Sequence, residues 1–133
     1  MHKIDLKIRK VKNSDAPFLY KLLLERSPKV NISHKIMPDY NQHVKFVSSK
    51  PYLFWYILIN NEERIGSVYL TDLNEIGISL IKGKKEKEIL ELIMKRHPRK
   101  RFFVNVSPKN IKFELFLKKF GFSMIQKTYE FEK

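Results

Sequence analysis

The spacing of hydrophobic residues divides the chain into segments of period two and segments of period 3.6. Residues 4–8 alternate between apolar and charged side chains, a pattern typical of a half-buried strand. Helical spacing over residues 18–26, after a capping sequence at residues 13–15, predicts a helix that ends near residue 28. Residues 38–51 predict a second, shorter helix that lies between two prolines.

The middle of the chain is its most apolar part. Residues 52–59 are almost all β-branched or aromatic, which predicts a central strand covered on both faces. A polar turn at residues 60–63 and an alternating segment at 64–70 predict a hairpin. A further short strand is predicted at residues 75–81, and a helix at 85–97, where the period changes to 3.6.

The last third of the chain predicts a strand, a helix and a final strand. The strand covers residues 101–106, the helix runs from Ser107 to Phe120 with Gly121 as its cap, and the last strand covers 122–131. The predicted order is β-α-α-β-β-β-α-β-α-β. It indicates an α/β (α+β) fold in which a mixed, mostly antiparallel sheet of about six to seven strands is flanked by about four helices. A chain of 133 residues suits a single domain, residues 1–133.

Composition excludes several classes of site. The chain has no cysteine, so disulfides, thiolate catalysis and cysteine-ligated zinc are excluded. Its four histidines lack the i, i+4 spacing of a helical metal pair, and we expect no metal site. Because no apolar run approaches about 20 residues and the N-terminus lacks a signal-peptide core, we expect a soluble, cytoplasmic protein with no membrane partner.

The net charge of +13, from 27 basic and 14 acidic residues, predicts attraction to polyanions. The partner could be nucleic acid, an anionic surface or a phosphate-bearing cofactor, and a lysine-rich proteome also explains such an excess. A basic nucleic-acid-binding module is therefore one alternative. Only charge supports it, because the sequence lacks RRM, homeodomain and zinc-finger signatures.

Residues 110–122, Asn-Ile-Lys-Phe-Glu-Leu-Phe-Leu-Lys-Lys-Phe-Gly-Phe, resemble the C-terminal motif of the GNAT superfamily of N-acetyltransferases. With the predicted element order, the resemblance covers nearly the whole chain. Five short segments further resemble a prokaryotic subgroup associated with sugar and surface-glycan biosynthesis: residues 43–47, 51–52, 55–56, 66–70 and 74–78. The resemblance implies an acyltransferase that carries acetyl from acetyl-CoA to the primary amine of a small molecule, such as an amino sugar or sugar nucleotide, and a homodimer.

The resemblance also implies a CoA site in three parts. The pantetheine arm would pair with the strand edge at Ile78, Ser79, Leu80 and Ile81. The pyrophosphate would lie on the following loop and helix start, at Lys82, Gly83, Lys84, Lys85, Glu86 and Lys87. Helix residues Asn110, Phe113 and Phe116 would flank the cofactor.

The pyrophosphate segment departs from the family pattern, Gln/Arg-x-x-Gly-x-Gly/Ala, since lysines stand at the two later glycine positions, Lys85 and Lys87. One interpretation is that lysine ammonium groups replace close backbone contacts to the phosphates. The other is that the site has decayed, leaving a GNAT fold that binds CoA or a partner without turnover.

Glu75 is the first candidate for the general base, because the resemblance places a glutamate at the start of this strand. Asp72 is the second candidate, and a glutamate at this position is also a common turn residue. Leu117 stands where the family usually has a tyrosine general acid, for which Tyr52, Tyr56 or Tyr69 could substitute. The candidate acceptor contacts are His34, Tyr56, Tyr69 and Asn105.

Overall fold

The computed structural model describes residues 6–25, 37–81 and 85–133. Its strands are β1 (Leu6–Lys10), β2 (Phe54–Asn60), β3 (Glu63–Leu70) and β4 (Ile76–Leu80). Its helices are α1 (Ala16–Glu25), α2 (Tyr40–Ser48), α3 (Glu86–Arg96) and α4 (Ile111–Phe120). Among these residues, no helix has both the length and the apolar character that a membrane crossing requires.

The four strands form one antiparallel sheet in the order β1-β2-β3-β4. The hairpin predicted between β2 and β3 is confirmed. Its turn residues, Asn61 and Glu62, have φ angles of 50° and 68°, the left-handed conformation that matches the twist of two antiparallel strands. The pairing shifts register once, between Leu58 and Ile59.

The predicted sheet of six to seven strands is wrong, because the described sheet has four. Residues 101–106 meet β4 only through a single parallel bridge, between Glu75 and Phe103. Beyond Phe103 this segment diverges from β4, so no ladder forms and the alternating pattern alone does not make it a strand. Residues 122–131 also have strand-like alternation but no neighbouring strand in the described structure, and residues 123–133 lie exposed after α4.

The sheet separates two hydrophobic clusters. Helices α3 and α4 pack on one face, against side chains that include Leu58, Val68 and Ile76. Helix α1, with Val47 of α2, packs on the opposite face around Ile57. Ile57 and Leu58 are adjacent in β2 and both are 0% exposed, which confirms that this strand is covered on both faces.

Local capping motifs fix the start of α2 and the end of α4. The Asp39 side chain accepts a hydrogen bond of 2.7 Å from the Gln42 amide, and the Gln42 side chain accepts one from the Asp39 amide, so α2 begins with a capping box. Gly121 ends α4 with a φ of 124°, a conformation that favours glycine. Both boundaries lie within two residues of those predicted from the sequence.

Candidate functional site

The site begins where β4 and the segment at residues 101–107 separate. The Phe103 amide donates to the Asn74 carbonyl (2.9 Å), and the Ile76 amide donates to the Phe103 carbonyl (2.8 Å). No further backbone hydrogen bond joins these two segments among the described residues. The gap therefore opens directly after Phe103.

One edge of β4 lies open along this gap. The Ile76 amide points toward Phe103. The Ile81 amide points the other way, toward β3, and donates to the Ile65 carbonyl (2.7 Å). Backbone groups of alternate residues point to opposite edges of a strand, so those of Ile78 and Leu80 point into the gap with that of Ile76. The four residues predicted for the cofactor arm therefore differ in where their backbone groups point. Those of Ser79 and Ile81 point to β3, and those of Ile78 and Leu80 point to the open edge.

The gap widens into a cleft of about 1050 Å³. Its walls are β4 on one side and residues 104–107 on the other, with α2 and the starts of α3 and α4 around it. Among the residues predicted for the site, the cleft is lined by Tyr69, Ile78, Ser79, Leu80, Glu86, Lys87, Asn105, Asn110, Phe113 and Phe116. The topology therefore brings residues from four separate parts of the sequence to one cleft.

Glu75 lies half-buried at the point where the sheet parts. Asn105 donates to its Oε2 over 2.7 Å, and the Thr71 hydroxyl donates to its Oε1 over 3.3 Å. Asn105 lines the cleft, and Glu75, which does not, is linked to it through the Asn105 side chain. The carboxylate is thus held by two neutral donors and has no cation within 4.0 Å among the described residues.

An aromatic wall (Phe46, Tyr52, Trp55 and Tyr69) lines the cleft on the face of the sheet that carries α1 and α2. The rings of Tyr52 and Tyr69 stack with centroids 3.8 Å apart and planes 3° apart. The Tyr69 ring also lies over Gly77, where a Cβ atom would collide with it. The glycine in β4 therefore has a physical role, since it leaves room for a flat ring against the strand.

The start of α3 is less basic than its sequence predicts. Lys85 is the N-cap residue, but Glu86 and Glu88 follow in the first turn and both line the cleft. The Oε2 atom of Glu88 is buried and has no hydrogen-bond partner among the described residues. Lys87 also lines the cleft, with its Nζ 3.9 Å from Glu91. Lys82, Gly83 and Lys84, predicted for the same phosphate site, lie outside the described residues.

Tyr56 lies away from the cleft, in the core beneath α3 and α4. It is 2% exposed, and its hydroxyl is 2.7 Å from Nε2 of His97. Burial, with the charges of Arg99 and Arg96, lowers the pKa of His97, which keeps the ring neutral for this bond. Tyr56 therefore has a packing role, and we remove it from the acceptor contacts.

Two other positions singled out in the sequence, His34 and Leu117, supply no side chain to the described cleft. His34 lies outside the described residues. Leu117 is 6% exposed and belongs to the core under α4, so it offers no polar group to the cleft.

Ser67 and Trp55 line the cleft but were not predicted as site residues. The signal that could have found them is the strand register. Trp55 pairs with Tyr69 across β2 and β3, and Ser67 is two residues from Tyr69, so all three side chains share one face.

Neither a protein-family model nor a curated protein sequence matches this chain. A domain from Methanocaldococcus jannaschii matches its structure with a TM-score of 0.77 and 20% identity, over 96% of this chain and 94% of that one. FdhC, a nucleotide-linked sugar GNAT, matches with a TM-score of 0.71 and 21% identity, over 96% and 84% of the two chains.

An acetyltransferase solved with CoA also matches the structure. Aminoglycoside N-acetyltransferase AAC(6')-Iy, solved in complex with CoA, has a TM-score of 0.70 and 13% identity, over 99% of this chain and 97% of that one. These similarities show the fold. The chain has the fold of the GNAT acetyltransferases, as the resemblance of residues 110–122 implied.

Proposed function

We propose that this chain is an acetyl-CoA-dependent N-acetyltransferase that acts on the primary amine of a small molecule. The observation that carries the proposal is the parting of the sheet after Phe103, which leaves main-chain groups of Ile78 and Leu80 open along a cleft of about 1050 Å³. CoA-bound AAC(6')-Iy, which has the same fold, supports the choice of cofactor.

The described residues fit the amide-bearing arm of CoA. An extended chain with its own amides can bind the edge of a strand as an added strand would, through main-chain hydrogen bonds. Ile78 and Leu80 would supply those bonds, and Phe113 and Phe116 would cover the arm from α4, since both line the same cleft. When bound, acetyl-CoA supplies the activated acetyl thioester.

Lys85 and Lys87 would supply positive charge to the pyrophosphate. The N-terminus of α3 favours a bound anion, but the negative charges of Glu86 and Glu88 in the first turn repel one. The lysines would offset this repulsion. An exposed lysine near a helix N-terminus and a phosphate contributes about 0.3–1 kcal/mol.

The double substitution Lys85→Glu and Lys87→Glu should therefore weaken CoA binding about 10-fold or more, measured by calorimetry. The matched control is Arg99→Glu with Lys100→Glu, which changes the net charge equally just beyond the opposite end of α3, where both residues are exposed. Equal weakening by both pairs would mean that overall charge, and no phosphate site at α3, attracts the cofactor.

Glu75 would remove the proton that the acceptor amine must lose. A primary amine arrives as an ammonium without a free electron pair, so a base is required before it can attack. Asn105 and Thr71 would hold the carboxylate at the parting of the sheet, and a water beside Asn105 would connect it with the cleft. We propose no general acid, because a thiolate with a pKa near 8.5 is an adequate leaving group.

The acceptor class that we propose is an amino sugar, including sugar nucleotides. The fold of FdhC, a nucleotide-linked sugar GNAT, supports this class, as do the stacked rings of Tyr52 and Tyr69. A flat aromatic face can bind the apolar side of a sugar ring or a nucleobase.

Tyr69→Ala should raise the KM for the acceptor about 10-fold and leave the KM for acetyl-CoA within 2-fold, in steady-state kinetics with each substrate varied. The physical reason is that the Tyr69 ring, which lies between Gly77 and Tyr52, supports the Tyr52 ring in the aromatic wall, and a stacking contact to a base is worth about 1–3 kcal/mol. Tyr129→Ala removes an exposed tyrosine elsewhere and is the control. A rise in both KM values for Tyr69→Ala would instead indicate that the sheet itself is disturbed.

The experiment that tests the function is a thiol-release assay with acetyl-CoA and a panel of amines: amino sugars, sugar nucleotides bearing an amine, polyamines and aminoglycosides. We expect turnover with at least one sugar amine. Turnover with another amine class alone would overturn the acceptor assignment. CoA binding without turnover on any amine would favour the second candidate, a CoA-binding protein without activity. The buried Oε2 of Glu88 and the apolar Leu117 support that candidate.

A further inference from the structure

A second cavity, of about 420 Å³, shares part of the aromatic wall with the cleft. Residues 10–13, the end of α2 and residues 52–55 line it, and we call it the lysine pocket. Tyr52 and Trp55 line both cavities. The Val11 amide donates to the Trp55 carbonyl (2.9 Å), which holds two of the three lining segments together. The volume lies in the range of small-molecule sites, about 300–1,000 Å³.

The described lining of the lysine pocket includes three cations, Lys10, Lys12 and Lys50, and no carboxylate. All three lysines are exposed, and no carboxylate oxygen of the described residues lies within 4.0 Å of their ammonium groups. Asp15 is close in sequence, but it already pairs with Arg9 over 2.7 Å. Uncompensated charges of one sign around a concave surface attract ions of the other sign, so the pocket favours an anion.

The backbone at two lining residues agrees with this charge. Asn13 begins a turn of 3-10 helix, residues 13–15, that leads into α1. No side chain caps this turn, and the Asn13 amide donates to no group in the part of the chain that the structure describes. A free amide at the start of a helix is a donor for an anion. Lys50 follows α2 with a φ of 51°, which favours glycine or asparagine, yet the residue there is one that adds a cation to the pocket.

We propose that the lysine pocket binds a phosphoryl group of an organic phosphate, at a site separate from the one proposed for CoA. Ammonium groups and a free amide form charge-assisted hydrogen bonds to phosphate oxygens, and the neighbouring aromatic side chains suit a nucleobase or a sugar ring. The phosphate has two possible sources. It belongs either to the acceptor, because the pocket and the cleft share a wall, or to a separate ligand. Only the first source rests on the proposed function.

The first test is calorimetric titration of the full chain with inorganic pyrophosphate. The protein carries Lys85→Glu and Lys87→Glu throughout, which removes the charge proposed to hold CoA. We expect binding at millimolar concentration or below. The triple substitution Lys10→Gln, Lys12→Gln and Lys50→Gln should weaken it about 10-fold or more. The control loses the same charge at three exposed lysines that line neither cavity, and it should bind within about 2-fold: Lys95→Gln, Lys119→Gln and Lys127→Gln.

Two results of this titration would overturn the proposal. One is the absence of pyrophosphate binding at millimolar concentration. The other is equal weakening by the two triple substitutions, because overall charge would then explain the attraction. The side chains replaced are all exposed, and urea denaturation with an unchanged midpoint would show that the variants keep the fold.

The second test identifies the source of the phosphate. Steady-state kinetics compare a free amino sugar with the same sugar linked to a nucleoside diphosphate, in a chain that carries only the Lys10, Lys12 and Lys50 substitutions. A KM raised about 10-fold for the nucleotide-linked sugar alone assigns the phosphate to the acceptor. Unchanged KM values for both assign it to a separate ligand. An equal rise for the free sugar would overturn the proposal, since that acceptor has no phosphate. A wild type without turnover would contradict the proposed function and leave the pyrophosphate result as it stands.

Discussion

Replacing Glu75 by glutamine should lower kcat/KM for the acceptor by about 10²–10⁴, the contribution of a positioned general base. Glutamine keeps the length of the side chain and an oxygen that can accept from Asn105, so the geometry at the parting of the sheet should survive. What it loses is the ability to take a proton. The Kd for CoA should stay within 2-fold in this variant.

The matched control is Asp72→Asn, which removes an exposed carboxylate three residues away. It should leave kcat/KM within 2-fold. If Asp72→Asn abolished turnover and Glu75→Gln did not, the base would be Asp72. If neither substitution changed the rate by more than about 3-fold, Glu75 would be a structural residue that holds Asn105, and the acid–base role would be wrong.

Asp15→Asn should lower the free energy of unfolding by about 2–4 kcal/mol, less than a fully buried pair because the Arg9 side chain is 36% exposed. Asp15 is 2% exposed and accepts two hydrogen bonds from the Arg9 guanidinium, at 2.7 and 2.8 Å, with the Lys12 amide as a third donor. Asparagine can still accept from Lys12 but leaves Arg9 without its counter-charge. Urea denaturation should show a lower midpoint with an unchanged slope.

The control for this substitution is Asp39→Asn, an equivalent change at the cap of α2. Asparagine caps a helix about as well as aspartate, so stability should change by less than about 0.5 kcal/mol. Equal losses at Asp15 and Asp39 would mean that net charge, and no specific ion pair, explains the effect.

The pH dependence of stability follows from the same ion pair. Burial by itself would raise the pKa of Asp15, but the bonds from Arg9 and Lys12 and the charge of Arg64 outweigh it and hold the pKa below its usual value. A carboxylate with a lowered pKa stabilises the fold above its unfolded value, near 3.9, and this contribution is lost as the pH falls through the folded value. The difference between wild type and Asp15→Asn should be constant from pH 7 to about 5 and shrink below about pH 4.

Local patterns predicted the elements that complete their hydrogen bonds with near neighbours. The hairpin at Asn61 and Glu62, the start of α2 after Asp39 and the Gly121 cap of α4 each depend on a few adjacent residues, so the sequence is sufficient to find them. The strand count was wrong because residues 101–106 and 122–131 have strand periodicity without a neighbour to pair with. Periodicity reports which side chains share a face, and it carries no information on whether a partner edge exists.

The resemblance to a family motif was enough to predict several residues of the candidate site. Which of the other side chains face the cleft depends on packing, and the sequence did not predict that. Glu75, Asn105 and Phe113 come from distant segments, and the parted sheet brings them to one region. Tyr56 and Tyr69 are both aromatic strand residues, but they lie on opposite faces, one in the core and one in the cleft. The lysines at α3 predicted a basic phosphate site, whereas side-chain placement brings Glu86 and Glu88 to the cleft as well.

Amide hydrogen exchange at β4, with and without millimolar CoA, tests the central claim most directly. If the cofactor arm binds the open edge, the amides of Ile78 and Leu80 should gain protection of about 10-fold or more. The amide of Ser79, already in the ladder with β3, should change little. Unchanged exchange at Ile78 and Leu80, with CoA shown to be bound by calorimetry, would place the cofactor elsewhere and contradict the proposed site.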